Sequence, residues 1–406
     1  MTPLIKEIFL YLSIPLSSGI IGWFTNIMAI KMTFYPLDYI GIRPIGWQGI
    51  IPSNARKMSD KAVDLLTTNL LKIDEHFSQL DPEFVAKEMQ ASLLDLTRKT
   101  VDEVMMAEAP AIWEKTPQKA KQVVYDTAGS NIPSVVTKVM EDIGGSIKEM
   151  LDLKMLTLEA VSKDKRLLNT IFIKCGKEEF KFIEKSGFYF GSLFGITQMV
   201  IAYFYNPWWL LPLFGVIVGY ATNWLALKLI FEPKKPIKVG PWTLLGLFLK
   251  RQKEVADEYS TIITERILTT ERIFQYISRT SGRDRLKEIL EHRLGELIDS
   301  TYDKVKDPVE IWVESEDAQK HLGIIKSIAL FRFMQEFHIC LEDIYPYADK
   351  TLNIRNILRE KMEQLPYEDF EGFLRPAFQE DEMTLIIVGA ILGGCAGALQ
   401  FILLFS

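Results

Sequence analysis

Amide side chains set in apolar runs are the residues of this chain whose types and spacing invite a chemical reading. Thr25, Asn26 and Lys31 lie in GWFTNIMAIKMTFYP, which starts at Gly22, and Thr222, Asn223 and Lys228 lie in GYATNWLALKLIFEP, which starts at Gly219. An amide inside a lipid-facing helix must bond within the protein, because the bilayer core supplies no water. Two kinds of chemistry fit. One is hydrogen bonding between helices, worth roughly 0.6–2 kcal/mol per bond in a membrane; the other is a polar path or binding site at membrane depth. Gln198 and Gln400, in two further apolar runs, are the partners this reading expects for Asn26 and Asn223, or each Asn bonds the other. Lys31 and Lys228, near the helix ends, can snorkel to headgroups and meet lipid phosphate.

Other chemistry finds little support. No Asp, Glu, Arg or His lies in the core of an apolar run, which disfavours an ion-coupled transporter. His76, His292 and His321 are scattered, and His338 has only Cys340 nearby. The metalloprotease, phosphate-loop and nucleophile-elbow motifs are absent from the sequence. The expectation is therefore a protein that is not an enzyme, with no catalytic residues, metal or cofactor. Cys175, Cys340 and Cys395 have no paired spacing and read as reduced thiols rather than a disulfide framework or zinc site. A net charge of -6 gives no case for nucleic acid.

The elements that position these residues occur twice. Gly22, Thr25, Asn26, Ala29, Lys31, Phe34 and Pro36 recur at constant offset as Gly219, Thr222, Asn223, Ala226, Lys228, Phe231 and Pro233. The register holds through Gly49 and Gly246, Asp60 and Asp257, Thr67 and Thr264, Leu71 and Leu268, and Phe77 and Phe274. Chance similarity between apolar segments shares Leu and Ile, not Gly, Asn, Lys, Pro and Asp in one register. An internal duplication follows. A second pair of runs matches Gly187, Gly191, Gly195 and Gln198 to Gly389, Gly393, Gly397 and Gln400, at an offset larger by five, which implies a small insertion in the second half.

Four runs reach the roughly 17–25 residues that span a bilayer: Ile8 to Met32, Phe188 to Tyr205, Trp208 to Phe231 and Met383 to Phe405. The first lacks a small-residue cleavage site and reads as a membrane helix rather than a cleaved signal. Asn206 and Pro207, flanked by Tyr205, Trp208 and Trp209, read as a tight hairpin with an aromatic belt. Across 406 residues, 48% hydrophobic beside 25% charged fits a membrane protein with large water-exposed parts. The expected fold is all-α, with four transmembrane helices and two cytoplasmic helical domains. Repeat 1 covers 1–205, with a connector at 36–52 and a helical domain at 53–185; repeat 2 covers 206–406, with a connector at 233–249 and a helical domain at 250–382. Two spans per copy give both the same orientation, a parallel repeat.

Basic residues orient it. Lys31, Arg43, Arg56, Lys57 and Lys61 follow the first span, and Lys228, Lys234, Lys235, Lys238, Lys250, Arg251 and Lys253 follow the third, against Lys6 on the other side. The positive-inside rule then puts the helical domains in the cytoplasm and both termini outside.

On a helix Gly22, Asn26 and Ala29 share one face, a small-residue stripe for which a glycine ladder of the second or fourth span is a natural counterpart. The connectors hold too much Gly, Pro and Trp for a helix and are too apolar for a solvated loop. They read either as loops in the membrane interface, with Trp47 and Trp242 at headgroup depth and Pro52 in an Ile-Pro turn, or as a packed collar below the bundle. Asp81 and Pro82 open a soluble helix. The stretch from Pro133 continues the helical pattern with a break at Gly144 and Gly145, and Leu286, Ile289, Leu294 and Leu297 mark another stripe. These stripes read as core, or as a groove for acyl chains or a partner helix. Glu178, Glu179, Glu380, Asp381 and Glu382 read as marking the cytoplasmic edge of the glycine-ladder spans and sitting at solvent, or else as binding a cation or the connector lysines.

The run from Gly22 to Pro36, GWQGIIP from Gly46 to Pro52, and FQEDE from Phe378 resemble a bacterial membrane-protein family, the domain of unknown function four-four-five, which includes the YheB-like proteins. The likeness covers nearly the whole chain. It implies a multi-pass bacterial membrane protein and assigns no activity. Leu249 stands where the second copy would carry the counterpart of Pro52. Beside the resemblance, the residues favour a membrane scaffold or tether, whose partners are membrane lipids and a cytoplasmic protein. The alternative is a carrier of lipid or another apolar molecule.

Overall fold

Unbroken apolar sequence without strand punctuation folds into long helices, since a helix satisfies its own backbone hydrogen bonds. In the structure, a computed structural model, residues 3–42, 45–65, 70–71, 76–108, 110–205, 207–280, 282–305, 315–379 and 382–405 are described. In chain order the elements used below are α1 (Pro3–Phe34), β1 (Ile40–Ile42), β2 (Ile45–Trp47), α2 (Gln90–Glu108), α3 (Gln118–Met150), α4 (Lys177–Phe204), α5 (Leu210–Phe231), β3 (Ile237–Val239), β4 (Trp242–Leu244), α6 (Gly282–Val305), α7 (Ser315–Glu342) and α8 (Glu382–Phe405). Apart from the two hairpins, the regular elements among the described residues are helical.

The chain divides into two compact units, each drawn from both halves of the sequence: Met1–Leu70, Thr157–Ile263 and Arg355–Ser406 in one, Leu71–Leu156 and Thr264–Ile354 in the other. Compactness thus groups residues differently from the division at 205/206. Helices from the two expected helical domains, 53–185 and 250–382, are shared between both units.

In the first unit α1 packs along α4 and α5 along α8, and contacts of α4 with α5 and α1 with α8 complete a bundle. Its polarity is inverted relative to a water-soluble core. Thr25, Asn26, Gln198, Thr222, Asn223 and Gln400 are buried, whereas Leu12, Ile20, Leu193, Ile217, Ile391 and Leu399 are exposed. An apolar exterior this continuous needs lipid against it. Tyr11–Phe34, Lys177–Phe204 and Leu210–Phe231 are long and apolar enough to cross a membrane, and α8 carries a shorter apolar stretch, Ile386–Ile402. The helix holding the expected 188–205 span begins earlier, at Lys177, because nothing in its polar first turns breaks helical geometry. At the turn between α4 and α5, Tyr205, Trp208 and Trp209 are exposed.

The second unit pairs α3 with α6 and α2 with α7. Arg293 donates to both oxygens of Asp142 at 2.7 and 3.1 Å across the first pair, and Arg332 meets Glu103 at 2.6 Å across the second. Asp81 caps the helix Pro82–Glu88 by accepting from the backbone of Glu83 and Phe84. The expected break at Gly144 and Gly145 is absent: α3 runs unbroken from Gln118 to Met150, with Pro133 inside it. Each glycine costs about 1 kcal/mol in a helix and the proline about 3. Burial of Ile132, Val139, Ile143, Ile147 and Met150, at roughly 1.5–3 kcal/mol per large apolar side chain, outweighs that.

The connectors are not plain loops either. Ile40 pairs with Trp47 and Ile42 with Ile45, and at the matched place Ile237 pairs with Leu244 and Val239 with Trp242. Gly240, with φ of 60°, takes the first position of the second hairpin's two-residue loop, where a positive φ suits the twist of the strands.

Candidate functional site

The motif glycines lie where helix backbones touch. A Cβ on Gly22 would fall 2.3 Å from the Gly187 carbonyl oxygen, and one on Gly219 would fall 2.1 Å from that of Gly389. The ladders continue in antiparallel steps, Gly191 against Ser18 and Gly195 against Pro15 and Ser18, Gly393 against Gly215 and Gly397 against Leu211. Each glycine ladder therefore meets the motif helix of its own half of the chain. No larger residue fits at these crossings.

That geometry decides the amides. Asn26 donates from Nδ2 to the Ile183 carbonyl at 2.7 Å, and its buried Oδ1 has no hydrogen-bond partner among the described residues. Asn223 is also buried, with its Nδ2 lying 2.2 Å from where a Cβ on Gly389 would sit, so it is directed at α8 as Asn26 is at α4. Neither glutamine is the partner of Asn26. Gln198 accepts from the Ser18 hydroxyl at 2.9 Å, and Gln400 donates to Ser17 Oγ at 2.7 Å. Gln198 lies eleven residues beyond Gly187, about 16 Å along the helix, and antiparallel packing carries it away from Asn26 toward the start of α1. Thr25 and Thr222 bond back to the carbonyls of Gly22 and Gly219. Lys31 is exposed, and Lys228 Nζ lies 4.9 Å from the Trp224 ring centroid and 4.0 Å from Glu232.

Below the motifs the two connectors share a construction. The peptide bonds preceding Pro36 and Pro233 are cis. Gly49 donates to the Pro36 carbonyl at 2.9 Å and Gly246 to that of Pro233 at 3.0 Å, closing each connector on itself. Short helices follow, Ile50–Ser53 and Leu247–Lys250, burying Ile51, Pro52, Phe248 and Leu249. Pro52 and Leu249 thus occupy equivalent buried places despite their different chemistry. The hairpin strands are the reverse: Ile42 is 85% exposed and Ile40 66%, with Ile237, Lys238 and Leu244 exposed on the second. Trp47 is half-buried and donates its indole N–H to the Met32 carbonyl at 3.1 Å. Thr67, Arg43, Asn206, Glu380 and Asp381 lie outside the described residues, as do the side chains of Lys6, Lys61, Trp242, His321, His338 and Glu382.

Of the residues that anchor this collar, Asn169, Glu371 and Gln252 escaped the sequence reading. Asn169 donates to the Phe34 carbonyl at 2.7 Å, satisfying an orphan acceptor at the end of α1. Glu371, buried, takes Lys234 at 2.8 Å and Arg375 beside it. Glu179, placed at the solvent edge by the sequence reading, is instead buried and held by Arg251. Burial alone pushes the Arg251 guanidinium down, but its bonds to Glu179 and Glu254 outweigh that and raise it. Gln252 donates to the carbonyls of Met362 and Leu365. One signal was available: the offset relating Gly187 to Gly389 also relates Asn169 to Glu371, two buried polar residues on matched amphipathic helices.

Cys175 is fully buried, which pushes its thiol up to about 12. Among the described residues, no three His, Cys, Asp or Glu side chains converge as a metal site.

The chain is similar to bacterial proteins named UPF0754 membrane proteins. It is 23% identical over 427 residues to one from Rippkaea orientalis, a match covering 96% of this chain and 94% of that protein. It is 27% identical over 160 residues to one from Nostoc sp., covering 38% of this chain and 37% of the relative, and 30% identical over 120 residues to one from Shouchella clausii, covering 28% and 31%. In these two shorter matches the chain spans about a third of the relative's length. No family model and no solved structure matches. This is a membrane protein. Its apolar, outward-facing helices and its bacterial relatives agree on that.

Proposed function

We propose that the protein is a non-enzymatic scaffold or tether of the bacterial cytoplasmic membrane, fixed by four spans and by two hairpins that dip into the interface. In this reading α8 is the fourth span, the two halves are parallel repeats of one ancestral unit, and the family is the one that the Gly22–Pro36 and Gly46–Pro52 motifs resemble. The helical parts face the cytoplasm, both termini lie outside, and the partners are membrane lipids and a cytoplasmic protein.

The observation that carries the proposal is the placement of exposed apolar strand residues in the connectors that follow membrane-length helices. Ile40 and Ile42 follow Phe34, and Ile237 and Leu244 follow Phe231, with exposed Lys235 and Lys238 beside the second hairpin. Exposed apolar strand residues with flanking lysines suit the headgroup boundary of an anionic leaflet. Asn169 bonds the end of α1, Glu371 ties Lys234 of the second connector to the helix Tyr367–Gln379, and Glu179 of α4 bonds Arg251 just past that connector, the kind of fixed base that a tether needs. A second reading, a carrier of lipid or another apolar molecule, draws on the cavity described below.

An environment-sensitive dye on Ile42→Cys, in a background where the three native cysteines are replaced, tests the proposal in reconstituted vesicles. Blue-shifted emission quenched by brominated lipids is expected; water-like emission untouched by them would remove the interfacial tether. Impermeant reagents applied to tagged termini in intact cells check the orientation.

A further inference from the structure

The second unit contains a cavity of about 540 Å³, within the roughly 300–1,000 Å³ of pockets that hold small organic ligands. Its walls are apolar: Val139, Ile143, Ile277, Leu286 and Leu290 line it and are buried. Phe331 also lines it yet is 60% exposed, so the cavity opens to the surface beside that ring. The apolar part of such a space favours an apolar ligand over water.

Two cations stand at its edge. Arg279 and Arg283 line the cavity and are exposed, and neither guanidinium has an ion-pair or hydrogen-bond partner among the described residues. Elsewhere in this unit the arginines beside carboxylates are engaged, as Arg285 is with Glu288 and Arg293 with Asp142 and Glu296. On the same rim Glu271 accepts from Gln275 at 2.8 Å, and Glu342 completes the edge. A guanidinium offers a planar fork of donors that matches a carboxylate. An apolar interior, an opening at an aromatic ring and two arginines without partners among the described residues point to a ligand with an apolar body and an anionic end.

We infer that this unit binds a single-chain amphiphile of the fatty-acid class, its chain in the cavity and its carboxylate at Arg279 and Arg283. The inference does not rest on the tether reading, which concerns the other unit.

The test uses the full chain in lipid nanodiscs, photolabelled with a diazirine-bearing palmitic acid or with the matching hexadecanol, and mapped by mass spectrometry. The acid is expected to label peptides containing Ile143 and Leu290, and unlabelled palmitate to compete. In Arg279→Ala/Arg283→Ala, acid labelling should fall by about tenfold or more, the scale of lost bonds to a charged group, while hexadecanol labelling persists. Leu290→Trp, or Ile143→Phe if the first fails to fold, should fill the cavity and abolish both. Labelling confined to the membrane helices, or unchanged by the filling variants, would overturn the site. Equal labelling by acid and alcohol in both backgrounds would overturn the anionic head. Competition by diacyl phosphatidylglycerol but not palmitate would overturn the single chain.

Discussion

Arg251 donates from Nη1 to both carboxylate oxygens of Glu179, at 2.8 and 2.6 Å, and Glu179 is 3% exposed. This bond joins α4, in the first half of the chain, to Arg251, at the end of the short helix that follows the second hairpin. It is a structural clamp between halves, and the proposed anchoring of the collar depends on it.

Removing one partner strands the other charge. Arg251→Ala should cost about 3–5 kcal/mol, while Glu179→Met/Arg251→Met should regain most of that, since a packed apolar pair often equals a buried ion pair. Thermal unfolding in detergent measures both. A loss below about 1 kcal/mol in the single variant would mean the pair behaves as a surface bridge.

The helix crossings are sterically closed. Gly22→Leu should prevent α1 and α4 from packing and leave protein that aggregates on extraction, since even a Cβ would sit 2.3 Å from a backbone oxygen. Gly145→Ala is the opposite case, with nothing within 4 Å of the added carbon and a helical backbone around it; it should stabilise by about 0.5–1 kcal/mol. Monodispersity and melting temperature of the two variants decide.

Acid sensitivity should trace to Asp142. Its hydrogen bond to Arg293 holds the carboxyl below the ordinary value, so the unfolded chain takes up the proton first as pH falls. The stabilisation is therefore complete above the unfolded value, about 3.9, and is lost as pH drops through the folded one. Asp142→Asn should be less stable near neutrality and show a shallower decline below about pH 4. Melting temperature across a pH series measures this; parallel curves would show that the pair contributes nothing.

The thiols should be silent outside the membrane. Burial pushes Cys175 up to about 12 and Cys340 up to about 11, leaving little of the reactive thiolate at neutral pH. A water-soluble maleimide should label neither in the folded protein and both after denaturation. Rapid native labelling at Cys175 would mean that the collar opens.

Much of the architecture is legible along the chain because its determinants are local. The long helices follow from apolar runs that must satisfy their own backbones, the cap at Asp81 from its side-chain oxygen preceding Pro82, and the glycine face from residues recurring at spacing four. Hairpins inside the connectors were not legible, since three-residue strands are too short to show alternation. Nor was the continuity of α3, where burial of an apolar stripe overrides two glycines and a proline.

Which polar groups meet is a matter of how the helices pack. The sequence determined that Asn26, Asn223, Gln198 and Gln400 lie in apolar helices and need partners within the protein. Helix direction and register then assigned Asn26 to the Ile183 carbonyl and the glutamines to Ser18 and Ser17. Likewise the acid at position 179 is visible as a letter, but its burial beside Arg251 depends on a connector returning from 72 residues away. Periodicity fixes which face of a helix a residue occupies; the neighbour that face meets depends on the sliding and pairing of helices, and that is settled by close packing of glycines far apart in the chain.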